Sequence, residues 1–265
     1  ALFDYTGFEK YNKNALQQLT TNSANEFIEN FVLTEIFDKE PDLYAKEDIK
    51  CDLQDIEKTN NGGTVELLMK RPFGILPLLE DESKFPKASD ESYLERCNLN
   101  HFENNLFGKE KEEFSVHHFG GTVWYTVDRF ISMNRRVVSR RMIDLLCESS
   151  NVAVASMFRA MFVQRSKEEQ VRLATQQLAK AATALAERLR CGNCQFVRCI
   201  RANRERVPGK WDGAVIARQA RAYALIATLR LRRAGFLVKL PFDDFVSRYS
   251  CLLPCVITSC QKKSE

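Results

Sequence analysis

No stretch of the sequence approaches the roughly 18 consecutive apolar residues that a bilayer-spanning helix needs, so a membrane segment is not expected. No glycine-rich loop ending Gly-Lys-(Ser/Thr) occurs, which removes the common cradle for nucleotide phosphates. Histidine is scarce, at three residues. His117 and His118 are adjacent, but no carboxylate or thiol stands at a ligand spacing from them, so a strand histidine satisfied by its neighbours is expected over a metal ligand. The motif Cys191-x-x-Cys194, with Cys199 beyond, lacks the second pair that a zinc or redox site would require. Nine cysteines without a secretory leader fit a reducing, cytoplasmic setting better than a disulfide scaffold.

What is present is enough for a sizeable core: 265 residues, 45% of them hydrophobic. The net charge of +4 hides an asymmetry, because residues 1–130 carry 25 acids against 14 bases and residues 131–265 carry 10 acids against 25 bases. A basic second half could offer a nucleic-acid surface. Mutual attraction of the two halves within one fold is the simpler account and the one favoured here.

The first nine residues organise the rest. An apolar run, Ala1 to Phe3, ends in Asp4, and Gly7 comes three positions later. A buried strand delivers a carboxylate to the carboxyl edge of a sheet in this way. Asp-x-x-Gly at such an edge suits phosphate sensing: the acid holds water of a Mg²⁺ shell, and the glycine amide approaches a γ-phosphate unhindered. The same four residues also describe an ordinary turn. Behind them, Leu16, Leu19, Phe27, Ile28, Phe31, Val32, Ile36 and Phe37 recur at helical steps, which predicts one helix over 14–37, closed by Pro41 and the charged run Asp38 to Asp48.

Asp4-x-x-Gly7-Phe8-Glu9 followed by Asn14, Gln18-Leu19, Asn22 and Asn25-Glu26 resembles the second switch and relay helix of the myosin motor domain. The resemblance recurs over about residues 2–250. Its most specific stretch is Glu66-Leu67-Leu68-Met69-Lys70-Arg71-Pro72-Phe73-Gly74-Ile75, then Leu79-Glu80-Asp81-Glu82 and Phe85-Pro86-Lys87-Ala88-Ser89-Asp90. Physically these residues read as a helix, a Pro-bounded turn and a second helix capped by Ser89 or Asp90. Residues 98–113 read as a surface loop, and residues 114–125 as a strand similar to Phe-x-(Val/Ile)-x-His-(Tyr/Phe)-Ala-Gly-x-Val-x-Tyr of the motor core. Phe196-Val197-Arg198-Cys199-Ile200 resembles another core strand. Residues 214–235 predict helix ending at Gly235; in motors this stretch is a helix pair hinged at a glycine, and Ala224 stands at that position here. Alanine raises helix propensity by up to about 1 kcal/mol over glycine, so resistance to kinking is expected. Arg230-x-Arg232-Arg233-x-Gly235-Phe236 and Leu240-Pro241-Phe242 suggest an unconventional class.

The resemblance implies a mixed α/β, predominantly α-helical fold: a partial myosin head related to the P-loop NTPases, comprising the lower actin-binding lobe and a few strands of the central sheet. It divides the chain into a partial motor domain over 1–235 and the start of a converter over 236–265. It implies Mg-ATP as the nucleotide of the intact motor and the actin filament as partner, in the cytoplasm on the actin cytoskeleton. Asp4 and Gly7 would face Mg-ATP, Asp4 reaching the metal through water. Gly7 and Glu9 would serve catalysis, Glu9 pairing with an arginine of the first switch and ordering the attacking water. Ile75, Leu79, Lys84, Phe85, Pro86 and Lys87 would meet actin. The loop at 163–170 is expected to steer actin weakly, since its charges cancel. No calmodulin- or light-chain-binding Ile-Gln repeat occurs in these residues. Lacking the phosphate cradle, this chain by itself should not hydrolyse ATP. Two other functions stay open: a non-catalytic actin-binding remnant of a myosin head, suggested by Ala222, Ala224 and Ala227, and, less favoured, a basic nucleic-acid-binding module.

Overall fold

A computed structural model describes residues 3–46, 48, 60–135, 140–162, 173–192, 194–234, 238, 240 and 242–252. Ala1 and Leu2, residues 163–170, Gly235-Phe236 and the residues after Leu252 lie outside the described residues, as do the expectations that fall on them.

The long helix forms as its apolar spacing predicts. Helix α1 (Leu16–Thr34) buries Leu16, Leu19, Ile28, Phe31, Val32 and Leu33. Its entry is capped by Gln18, whose Oε1 accepts from the Ala15 amide at 3.0 Å. Pro41 does not end it. A π-helical turn (Glu35–Lys39) leads directly into α2 (Glu40–Lys46), with Pro41 in its first turn. A proline needs no donor in a first turn, and the wider π spacing accommodates the change of register.

Helices α3 (Gly62–Met69), α4 (Ile75–Glu82) and α5 (Asp90–His101) come next. Ser89 caps α5 by accepting from the Ser92 amide at 3.0 Å. The segment expected as a loop at 98–113 holds the end of α5 and strand β1 (Phe107–Glu110). The single strand expected at 114–125 is a hairpin, β2 (Glu113–His118) and β3 (Gly121–Thr126), turning at Phe119-Gly120. The three strands form an antiparallel meander in which Phe114 faces Tyr125 and Val116 faces Val123. Alternation puts Phe114, Val116, Val123 and Tyr125 in the core and leaves Trp124 and His117 outside.

Helices α6 (Phe130–Asn134), α7 (Arg140–Cys147), α8 (Val152–Phe162) and α9 (Ala174–Arg190) continue the chain. Residues 194–200 carry no regular structure, so the strand expected there is not found. Phe3 to Tyr11 likewise pair in no sheet, and Phe3 is half exposed. The reason is the same for both: a strand is defined by a neighbour's backbone, and the described residues offer none beside either segment. Helices α10 (Gly213–Ala222), α11 (Leu225–Ala234) and α12 (Phe242–Tyr249) close the described fold.

Two cores result. The larger joins Leu16 and Leu19 of α1 to Leu67, Leu68, Ile75, Leu79, Tyr93, Phe114, Tyr125 and Phe130. The smaller joins Val32, Leu33, Ile36, Phe37 and Tyr44 to Ala224 and Leu231. Helix α1 contributes residues to both.

Candidate functional site

Residues 4–9 lie along the start of α1 and are tied to it by side chains. Asn22 clamps the backbone of Glu9 from both sides, accepting from its amide at 2.8 Å and donating to its carbonyl at 2.8 Å. Asn25 donates to the Thr6 carbonyl at 2.9 Å, and Gln18 donates to Glu9 Oε2 at 3.1 Å. The polar residues that stood out on the helix, Gln18, Asn22 and Asn25, are therefore the loop's partners. Each bond to the loop backbone satisfies a group that no sheet neighbour satisfies. Asp4 and Gly7 are exposed, and a Cβ placed on Gly7 would meet nothing within 4 Å. Glu9 is half-buried.

Behind the loop runs a polar chain that the sequence did not announce. The second amide hydrogen of Asn22 reaches the Tyr125 hydroxyl at 2.9 Å. That hydroxyl meets His118 Nε2 at 2.7 Å, and His118 Nδ1 meets Glu26 Oε1 at 3.0 Å. Glu26 also accepts from the Phe119 amide at 2.7 Å and from Asn61 at 2.5 Å. A carboxylate can only accept, so Nδ1 carries a hydrogen, and in the neutral imidazole Nε2 then accepts from the Tyr125 hydroxyl. His118 is thus held on both nitrogens by neighbours, as its position in a strand suggested. Burial pushes the Tyr125 hydroxyl well above its ordinary range, which keeps it a donor.

One turn further along the same stripe of α1, Arg198 makes two bonds of 2.7 Å to buried Glu29. Burial pushes the Glu29 carboxyl up, and the guanidinium opposes that shift. Arg198 also lies over the Tyr223 ring, 4.8 Å from its centre. A cavity of about 460 Å³ opens between the loop and helices α1 and α9, lined by Phe3, Tyr5, Ala24, Phe27, Leu178 and Leu185 among others. Its lining residues include no cation, so it does not suit a nucleotide's phosphates.

The α4–α5 connection makes a second candidate site, about residues 83–89. Phe85 is 56% exposed, and Lys84, Pro86 and Lys87 are exposed with it. The tip is held from below. Arg135 donates through Nε to the Ser83 carbonyl at 2.6 Å and through its terminal nitrogen to the Phe85 carbonyl. Asn134 donates to Ser83 Oγ at 2.9 Å. Lys84 bridges Glu80 at 3.2 Å and Asp81 at 3.0 Å. Ile75 and Leu79, expected to touch a partner, are instead fully buried at 0% exposure. They face the larger core because the apolar side of α4 has one place to go; of the expected contact set, only Lys84 to Lys87 reach the surface.

The whole chain, residues 1–265, matches the myosin head (motor domain) family. The chain belongs to that family. Among relatives of this myosin head chain, human unconventional myosin-XV is 32% identical over 267 residues, Drosophila melanogaster myosin-VIIa 31% over 263, and mouse unconventional myosin-VIIb 30% over 277. Each alignment covers 96% of the chain but only 8%, 12% and 13% of the relative. The unconventional character read from the sequence agrees with these relatives. Among the described residues no helix is long and apolar enough to cross a membrane.

The break in the predicted helix at 214–235 corrects an expectation. Alanine at 224 does not keep the helix straight: α10 stops at Ala222, α11 begins at Leu225, and Ala224 adopts φ +47°. Left-handed backbone costs a residue with a Cβ roughly 1–2 kcal/mol. Burial of Ala224 and Leu231 against Phe37 and Tyr44 offsets that cost.

Proposed function

We propose that this chain is part of an ATP-driven, actin-based motor, in which the Asp4–Glu9 loop is the second switch and Lys84 to Lys87 form a filament contact. Residues 1–235 would belong to the motor domain and residues 236–265 would begin the converter, in a cytoplasmic protein on the actin cytoskeleton. The observation that carries the filament reading is the exposed Phe85-Pro86 pair, flanked by Lys84 and Lys87 and braced by Arg135. An apolar residue held out by fixed backbone, with cations beside it, suits a surface offering greasy pockets and acids.

The nucleotide reading rests on the exposure of Gly7 and Asp4, with α1 clamped to the loop. In the intact motor Mg-ATP would supply the γ-phosphate that the loop senses. Asp4 would hold a water of the metal's shell, Gly7 would donate its amide to the phosphate, and Glu9 would help order the attacking water. A non-catalytic actin-binding remnant is the second reading, favoured by Ala224 in a strained hinge conformation where motors of the family place glycine.

Co-sedimentation with actin filaments tests the first site. The Phe85→Ala, Lys87→Glu double variant is expected to weaken binding at least about tenfold, which corresponds to roughly 1.4 kcal/mol. Binding equal to the parent's would end the assignment of this tip.

A further inference from the structure

We propose that Phe8, Phe119 and Tyr223 form an aromatic strut tying the Asp4–Glu9 loop to the break between α10 and α11, with Gly120 as the seat that admits it. Phe8 meets Phe119 edge-on with ring centres 5.4 Å apart, and Phe119 meets Tyr223 at 5.9 Å. His118 holds the Phe8 ring from another side at 5.5 Å. At the far end, Arg198 covers Tyr223 at 4.8 Å and is itself fixed by two 2.7 Å bonds to Glu29. Tyr223 is therefore hemmed between Phe119 and Arg198, and the next residue, Ala224, is the one at φ +47°.

Gly120 decides whether the strut can seat. A Cβ there would stand 2.8 Å from Cδ1 and Cε1 of Phe8 and 3.1 Å from Cγ. An alanine at 120, which the resembled motif carries, would have to displace that ring. The two departures from the motif, Gly120 for alanine and Ala224 for glycine, thus sit at opposite ends of one line of contact. The three rings are half-buried and touch directly, so a shift of one displaces the next. Phe119, Gly120 and Tyr223 act as positioning residues: they touch neither candidate ligand, and the link holds whatever the loop senses.

Residue-resolved hydrogen exchange on the full chain, without nucleotide or filament, tests the strut separately from the proposed function. Removing the Tyr223 ring in Tyr223→Ala is expected to speed exchange of the Glu9 amide, which bonds Asn22, by about tenfold through local opening. Exchange at Leu67 and Leu68 of α3 stays at the parent rate, and Tyr223→Phe restores protection at Glu9. In the opposite direction, Gly120→Ala speeds exchange of the Thr228 amide, which bonds the Ala224 carbonyl at 2.9 Å. A Glu9 amide at the parent rate in Tyr223→Ala, or acceleration spread equally over α3, overturns the strut. Should Tyr223→Ala fail to fold, Gly120→Ala decides alone, and an unchanged Thr228 amide sinks the proposal.

Discussion

Tyr125 is the residue on which the buried polar chain turns, because its hydroxyl accepts from Asn22 and donates to His118. Tyr125→Phe leaves His118 Nε2 and one Asn22 hydrogen buried without partners. Unsatisfied groups of this kind cost about 1–3 kcal/mol each, so a loss of about 2 kcal/mol or more in denaturant stability is expected. A variant as stable as the parent would mean that water fills the gap. Glu80 shows how residue chemistry sets pH dependence at the tip. Burial alone would raise its carboxyl, but hydrogen bonds from Gln176, Arg71 and Lys84 outweigh burial and hold it below the ordinary value. A depressed acid contributes stability above its unfolded value, near pH 4.3, and loses it as pH falls through the folded value. Glu80→Gln is therefore expected to flatten the stability profile below about pH 4.5, as read by thermal melts at stepped pH. An unaltered acid limb would remove Glu80 from that role. Lys84 stands at the i+4 position that a helical pattern offers, but Glu80 meets Gln176 at 2.6 Å across 96 positions, a separation that no local pattern encodes.

At the scale of elements, periodicity served the helices well and the strands poorly. Helix α1 was readable because Leu16, Leu19, Ile28, Phe31 and Val32 repeat on one face. Its continuation past Pro41 was not, because a π turn leaves no signature in composition. Even positions (Phe114, Val116, His118) face inward before Gly120-Gly121 and odd positions (Val123, Tyr125) after it, so the turn is written as a phase change that a single-strand reading passes over. The break at Ala224 runs against propensity, and it gives an element-scale prediction. Ala224→Val puts a β-branched side chain at φ +47° inside a filled cluster. A loss of about 2 kcal/mol or more is expected by equilibrium denaturation. Ala224→Gly should come out near neutral, since about 1 kcal/mol of relieved strain is set against one lost buried methyl of similar size. Tolerance of valine would show that the backbone there is not held left-handed.

For the molecule as a whole, the question is what this chain can do unaided. Its loop offers a phosphate the Gly7 amide and the nearby Asp4, whereas phosphate cradles surround the group with several amides and a lysine. The 265-residue polypeptide is expected to show no Mg-ATP binding by calorimetry at concentrations up to about 100 µM, weaker than about −5.5 kcal/mol. Micromolar affinity would overturn the view that these residues lack a phosphate cradle. Family membership was legible in the sequence alone, and the proposed site residues Asp4, Gly7, Glu9 and Phe85-Pro86 were picked out there too, because each belongs to a short stretch of contiguous residues. Which of those residues is accessible was decided only by tertiary packing: Phe85 stands out while Ile75 and Leu79, on the same motif, are sealed in the core. The loop's attachment to α1, the Tyr125–His118–Glu26 chain and the kink at Ala224 were decided there too. Each depends on groups far apart in the chain meeting at van der Waals or hydrogen-bond distance, and burial selects such meetings without writing them into any local pattern.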